Sequence, residues 1–237
     1  MEPWQEDHLN ALLHIESEHE LFDEVASLAK KMGFEYCAYG IQMPVPVSRP
    51  MVVAFNNYSL ARQECCEQPS YFGAEATAQQ GMKGAFCAPW LEEAFEPAQQ
   101  LWKEAHVHGL RFGWAQSSRD PSGAVGVLIL GHGAEHLAEN ELRVDKAKMA
   151  WLAQYTHACM AKLLIPKYVP ESTVLMTMRE KEVLRWTAEG KTAYEIGQIL
   201  SVSERTVNFH INNVVVKLRA SNKTQAAVKA VALGLLA

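Results

Sequence analysis

Apolar residues recur at three-to-four spacing from the start of the chain: Leu9, Ala11, Leu12 and Leu13, then Leu21, Phe22, Val25, Leu28 and Met32, with acidic residues between them. That period predicts two amphipathic helices, the second ended by Gly33. The pattern then changes. Tyr36 to Gln42 reads as a strand, residues 43–50 (MPVPVSRP) as a loop, and Met51 to Phe55 as a short second strand. Residues 58–82 have weak helical character, and Glu93 to His108 is a clearer helix with Phe95, Leu101, Trp102 and Ala105 inward. Two more strands, Phe112 to Gln116 and Ala124 to Leu130, flank the turn RDPSG at 119–123, and helical signals run from Glu135 through Leu164. Helices, an antiparallel sheet and more helices predict an α+β domain over residues 1–165, a three-layer α-β-α sandwich. Two prolines, Pro166 and Pro170, disfavour continued helix and mark a linker over 166–175.

Residues 176–237 predict four short helices. Thr177 with Glu180 and Thr192 with Glu195 have capping-box spacing, Ser203 caps a helix running to about Leu218, and Asn222 caps a fourth. Short turns between such helices make an all-α bundle with a helix-turn-helix at its centre. On the third helix Val207, Ile211, Val214 and Leu218 recur at steps of three and four, which turns them toward Val183, Leu184, Ile196 and Leu200. The opposite face carries Arg205, Asn208, Phe209 and Asn212. Amide side chains there can pair with adenine, Phe209 can press on a thymine methyl, and Arg205 can reach phosphate or guanine. Lys191, Lys217 and Arg219 read as phosphate contacts. By pattern alone, an ordinary amphipathic helix with a solvated polar face is an equal reading.

Charge sharpens the division. The net charge of -5 conceals +3 from Glu171 onward and -8 before it, a basic end on an acidic body. No apolar run reaches the roughly 20 residues of a membrane helix, and the start MEPWQEDH is acidic where a signal peptide is basic, so a cytoplasmic protein is expected. Five cysteines (Cys37, Cys65, Cys66, Cys87, Cys159) show no CxxC spacing and read as buried reduced thiols rather than disulfides or zinc ligands. His106, His108, His132 and His136 have no flanking Cys or Glu spacing for a metal site, and no nucleophile elbow or phosphate-cradling loop occurs. No catalytic residue, metal or cofactor is assigned. Four aspartates, two on early helices and one in a turn, do not form the acidic cluster of a phosphoacceptor receiver domain.

Thr177 to Thr192 (TMREKEVLRWTAEGKT), Glu195-Ile196, residues 199–210 (ILSVSERTVNFH), Lys217-Leu218 and residues 222–226 (NKTQA) together resemble the DNA-binding domain of LuxR-type quorum-sensing regulators. More weakly, residues 33–40 (GFEYCAYG), Asn57-Tyr58, Ala88 to Trp90 and residues 108–113 (HGLRFG) resemble that family's autoinducer-binding domain. The resemblance implies a bacterial homodimer on palindromic promoter DNA, with RNA polymerase as a candidate further partner. It implies DNA contacts among Lys191, Thr192, Ser203, Arg205, Thr206, Asn208, Phe209, Asn212, Lys217 and Arg219. It also implies that an acyl-homoserine lactone lies between sheet and helices, its head group held by a Tyr, a Trp and an Asp.

The signal domain departs from that pattern. Tyr58, Trp90 and Gly113 remain, but the lactone-binding Trp falls on Arg62, the next Tyr on Cys66, the Asp-Pro pair on Glu75-Ala76, and the late-strand Ser or Thr on Ile129. A guanidinium in a pocket for a neutral head group is costly unless paired. Three readings stay open. Arg62 and Glu75 pair and bulky residues fill the cavity, giving an orphan receptor that folds without ligand; or the pocket takes another small signal through Arg62 and Glu75; or Arg62 faces solvent and an altered lactone mode survives.

Overall fold

The computed structural model describes residues 12–57, 87–89, 112–132 and 146–236; residues 87–89, 112–113 and 146 are described by backbone alone. Tyr58, Arg62, Cys66, Glu75 and Trp90, the helix over 93–108 and the helical signals of 58–82 lie outside the described residues, as does most of the first helix.

The first complete helix, α1 (Glu18–Lys31), is capped where Ser17 accepts the Glu20 N–H at 3.4 Å, and it ends at Met32 before Gly33, whose φ of 94° suits a left-handed stop. Its inner face buries Leu21, Phe22, Val25, Leu28 and Ala29. Strands β1 (Tyr36–Gln42), β2 (Val52–Asn56), β3 (Cys87–Pro89), β4 (Phe112–Arg119) and β5 (Val125–His132) form one sheet in the order β2-β1-β5-β4-β3, every pairing antiparallel. Helix α2 (Lys146–Tyr168) follows. The expected α+β architecture with an antiparallel sheet is the observed one.

The register fixes which residues share a face, because directly paired residues project to the same side. Tyr39 pairs with Phe55 on one side and Leu128 on the other, and Leu128 with Gln116. Phe55 stacks on Phe22 of α1 at 5.8 Å, and Tyr39 meets His157 of α2, so α1 and α2 cover this face. The other face carries Ala38, Gly40, Ala115, Ser117, Val127 and Ile129.

Several boundaries differ from expectation, β5 for one running to His132. Strand β4 runs three residues past Gln116, because Ser117, Ser118 and Arg119 pair with Val127, Gly126 and Val125; Gln116, Ser117 and Ser118 are all buried despite their polarity. Helix α2 continues through Pro166 to Tyr168. A proline this close to a helix end forgoes one amide hydrogen bond, and the Val169 N–H to Ile165 carbonyl hydrogen bond of 2.7 Å still closes the last turn. Residues Pro170–Thr173 form a 3-10 turn rather than plain linker.

Beyond it come α3 (Met178–Ala188), α4 (Ala193–Leu200), α5 (Glu204–Lys217) and α6 (Lys223–Ala232). Both expected capping boxes are formed, Thr177 with Glu180 and Thr192 with Glu195, and Ser203 and Asn222 cap α5 and α6. Gly190, at φ 84°, ends α3. The core has two buried clusters, Val183-Ile196-Val207-Ile211 and Leu184-Val214-Leu218-Ala226-Ala227-Ala230, with Leu200 partly buried against the first. Each fully buried aliphatic side chain contributes about 1.5–3 kcal/mol, enough to hold helices too short to persist alone.

By compactness the chain divides into two units, one built from Met1–Gln42, Val52–Asp120 and Val125–Leu164, the other from Met43–Met51, Pro121–Ala124 and Ile165–Ala237. Among the described residues no helix is long and apolar enough to cross a membrane, and no cluster of His, Cys, Asp or Glu is placed to hold a metal.

Candidate nucleic-acid interface

Helices α4 and α5 meet at a tight turn. Ser201 adopts the left-handed conformation (φ 54°), and the Val202 N–H returns to the Gly197 carbonyl at 3.0 Å. A Cβ on Gly197 would lie 2.8 Å from the Val202 carbonyl oxygen, so the close approach requires glycine there. At the start of α5, the Ser203 hydroxyl accepts the Thr206 N–H at 3.1 Å and lies 2.8 Å from the Thr206 hydroxyl. This end of the helix therefore presents two hydroxyls beside its positive pole.

With Val207, Ile211, Val214 and Leu218 buried, the outer face of α5 is fixed. Arg205, Asn208, Phe209 and Asn212 are all exposed on it, Phe209 at 60%. With Val216 also exposed at 76% further along this face, Phe209 is not a lone apolar residue, which favours an interaction surface. Lys191 and Arg219 are exposed as well. The Thr192 hydroxyl is already engaged, donating to Glu195 Oε2 at 2.8 Å and accepting the Glu195 N–H at 3.2 Å. Hydrogen bonds from the Thr192 backbone and hydroxyl hold the exposed Glu195 carboxyl below its ordinary value.

Lys217, expected as a phosphate contact, has hydrogen-bond partners within its own domain. Two of its three N–H donors are taken, by Glu180 Oε2 at 2.7 Å and by the Leu175 carbonyl at 3.2 Å. Glu180 is buried at 3% exposure. Burial pushes its carboxyl up, but the Lys217 hydrogen bond, the Thr177 N–H and the Lys217 charge together outweigh burial and hold it below the usual range. Sequence reasoning missed this pair and a second one, Lys229 with Glu171 at 2.6 Å. Separations of 37 and 58 residues leave no local signal for either.

In the signal domain, Ile129 pairs with Ala38 and Ala115 and is half-buried on the face opposite α1 and α2; Gly113 pairs with Gly131. Next to Tyr58, the Asn57 side chain accepts the Cys37 N–H at 2.8 Å and donates to the Glu35 carbonyl at 3.1 Å, which fixes where the chain leaves β2. On the covered face the Tyr39 hydroxyl lies 2.9 Å from His157 Nδ1, and His157 Nε2 lies 3.8 Å from Asp120. Burial, then the negative charge of Asp120, pushes the Tyr39 phenol well up. Burial also pushes the Cys37 thiol up to about 12 and raises Cys159, which favours the neutral thiol at both described free cysteines.

Residues 17–160 match the family described as autoinducer binding domain, and residues 174–230 match that of bacterial regulatory proteins, luxR family. The chain belongs to the LuxR-type quorum-sensing regulators. Over 236 residues, all of both chains, it is 44% identical to transcriptional activator protein SolR of Ralstonia solanacearum, and it is 43% identical over the full length of AnoR of Acinetobacter nosocomialis. Among solved structures, SdiA in complex with octanoyl-rac-glycerol superposes with a TM-score of 0.81 at 33% identity, covering 98% of this chain and 95% of that one. LuxR-type proteins are regulators of transcription, not enzymes. The chain is thus a quorum-sensing transcription regulator with an autoinducer-binding domain and a DNA-binding helix-turn-helix.

Proposed function

We propose that this regulator acts in the bacterial cytoplasm as a homodimer on a two-fold symmetric promoter site, with α5 in the major groove. Arg205, Asn208, Phe209 and Asn212 read bases, while Lys191, Arg219 and the hydroxyls of Ser203 and Thr206 meet phosphates. Thr192 acts at second hand, by fixing the start of α4. The observation that carries the reading is the division of α5 into one buried aliphatic face and one exposed face with a Phe between two Asn. A net charge of only +3 on this end makes pairing of two such domains part of the affinity, and RNA polymerase is the partner of the bound dimer.

The signal domain is proposed to respond to a small amphipathic molecule rather than to stand as an orphan. The sheet face opposite α1 and α2 is small and mostly apolar (Ala38, Gly40, Ala115, Val127, Ile129, with Ser117), which suits an acyl chain better than a cavity filled by bulky side chains. A relative that superposes over nearly the whole chain holds octanoyl-rac-glycerol, an acyl chain on a neutral polar head. Arg62 and Glu75 are the proposed head-group partners.

The test is to recover a duplex motif from a random-sequence DNA pool with the full-length protein, with and without octanoyl-homoserine lactone or octanoyl glycerol. A two-fold symmetric motif whose recovery depends on the added molecule is expected. An asymmetric motif would overturn the dimer, and ligand-independent recovery with no thermal stabilisation by either molecule would return the signal domain to the orphan reading.

A further inference from the structure

At its C-terminal end α5 is held by side chains that no expected DNA contact accounts for. Lys229, on α6, donates to the Leu218 carbonyl at 3.0 Å and to the Arg219 carbonyl at 3.3 Å, the groups left over where α5 stops. Its third donor goes to Glu171 Oε1 at 2.6 Å, in the 3-10 turn that precedes the helical bundle. All three ammonium protons of Lys229 are thus consumed, which leaves none for a phosphate. The pair is largely out of water, at 16% and 12% side-chain exposure, and the ammonium sits at the negative pole of α5. Burial raises the Glu171 carboxyl, but the hydrogen bond and charge of Lys229, with help from Arg219, leave it below its usual value.

Two features make this more than a surface ion pair. Arg219 occupies the left-handed region (φ 48°) without being glycine, a conformation that surrounding contacts must hold, and its carbonyl is one of those Lys229 binds. Four residues after Glu171, the Leu175 carbonyl accepts from Lys217, the last residue of α5. The segment 171–175 therefore fastens at two points to the same end of the same helix.

We infer that Glu171 and Lys229 are positioning residues for DNA reading: they clamp the C-terminal end of α5 to the segment entering the DNA-binding domain, and so set the angle at which Arg205, Asn208, Phe209 and Asn212 are presented. The inference rests on the reading of α5 as the base-contacting helix. Direct readout is sensitive to small displacements, because a bidentate amide–adenine pair is lost when its two hydrogen bonds misalign. Phosphate contacts tolerate such shifts, since they act at longer range and without fixed geometry. Loosening the clamp consequently lowers discrimination between sequences while leaving sequence-independent affinity in place.

The experiment uses the full-length protein, the duplex motif it recovers from a random-sequence pool, and an unselected duplex of equal length, titrated by fluorescence anisotropy at several salt concentrations. Glu171→Gln is expected to weaken the selected duplex roughly fivefold to tenfold, with Lys229→Met weakening it further. Neither should change affinity for the unselected duplex or the slope of log Kd against log salt, and Lys229→Arg should restore the selected-duplex affinity. Equal losses on both duplexes would mark a purely structural pair and overturn the clamp, as would unchanged binding by Glu171→Gln. A slope shallower by about one in Lys229→Met would make Lys229 a phosphate contact and overturn it too. Asn208→Ala is measured alongside. If it binds the motif as tightly as the parent, the reading of α5 falls and the clamp with it; if it weakens while Glu171→Gln does not, the clamp alone falls.

Discussion

Lys217 Nζ lies 2.7 Å from Glu180 Oε2, and the same oxygen accepts the Thr177 N–H at 2.8 Å. One buried carboxylate thus closes the capping box of α3 and anchors the last residue of α5. Lys217→Met leaves that charge buried with only Thr177 as its partner, at a cost of about 1–3 kcal/mol given that the lysine itself is one-third exposed. Thermal unfolding should show a domain that melts earlier, and DNA affinity measured well below the melting point should keep the parent's salt slope. A slope reduced with unchanged stability would return Lys217 to the phosphate contacts.

The same carboxylate makes stability depend on pH. Glu180 and Glu171 both have folded-state values held below the ordinary 4.5, so their contribution is fully present above that value and is lost as pH falls through the depressed folded values. The unfolding free energy of the DNA-binding domain should be level near neutrality and fall below about pH 4.5. In Glu180→Gln it should start lower and fall less over that range; an acid limb as steep as the parent's would remove Glu180 as a cause.

Most of the helical bundle was legible in the sequence, because its organising signals are local: capping boxes span three residues, and the buried stripe of α5 repeats within one helix. What sequence could not show is what distant residues do to each other. Nothing within a helical turn of Lys217 or Lys229 predicts Glu180 or Glu171 as their partners. The apolar run of β4 ends before Ser117 and Ser118, and only pairing with Val127 and Gly126 draws those two serines into the sheet. Pro166 favours a stop by sequence, but near the end of a helix its missing N–H forgoes one hydrogen bond, and α2 continues to Tyr168.

Gly126 faces α2 in the centre of the sheet. A Cβ there would run into His157 Nδ1 and come within 2.7 Å of the Tyr39 hydroxyl, two side chains at 1% and 0% exposure with no room to withdraw. Gly126→Ala should destabilise the signal domain by about 2–4 kcal/mol, from overpacking and from parting the Tyr39–His157 hydrogen bond. Urea unfolding followed by tryptophan fluorescence measures this. Tyr39→Phe, which keeps the ring and loses only the hydroxyl, should cost less.

Ile129 tests what the sheet face opposite α1 and α2 is for. It is half-buried between Ala38 and Ala115, at the place where the family resemblance puts a hydroxyl. If an acyl chain lies on this face, Ile129→Ser adds a polar group that an apolar tail cannot satisfy, and the stabilisation given by octanoyl glycerol should shrink by about 1–3 kcal/mol. If instead the hydroxyl meets a ligand amide, the same substitution should favour octanoyl-homoserine lactone over octanoyl glycerol. Thermal shifts with both compounds, on parent and variant, separate a tail contact from a head-group contact. Equal shifts in all four combinations would show that Ile129 does not line the ligand site, and Arg62→Trp would then be the substitution that shows whether the head group binds near residue 62.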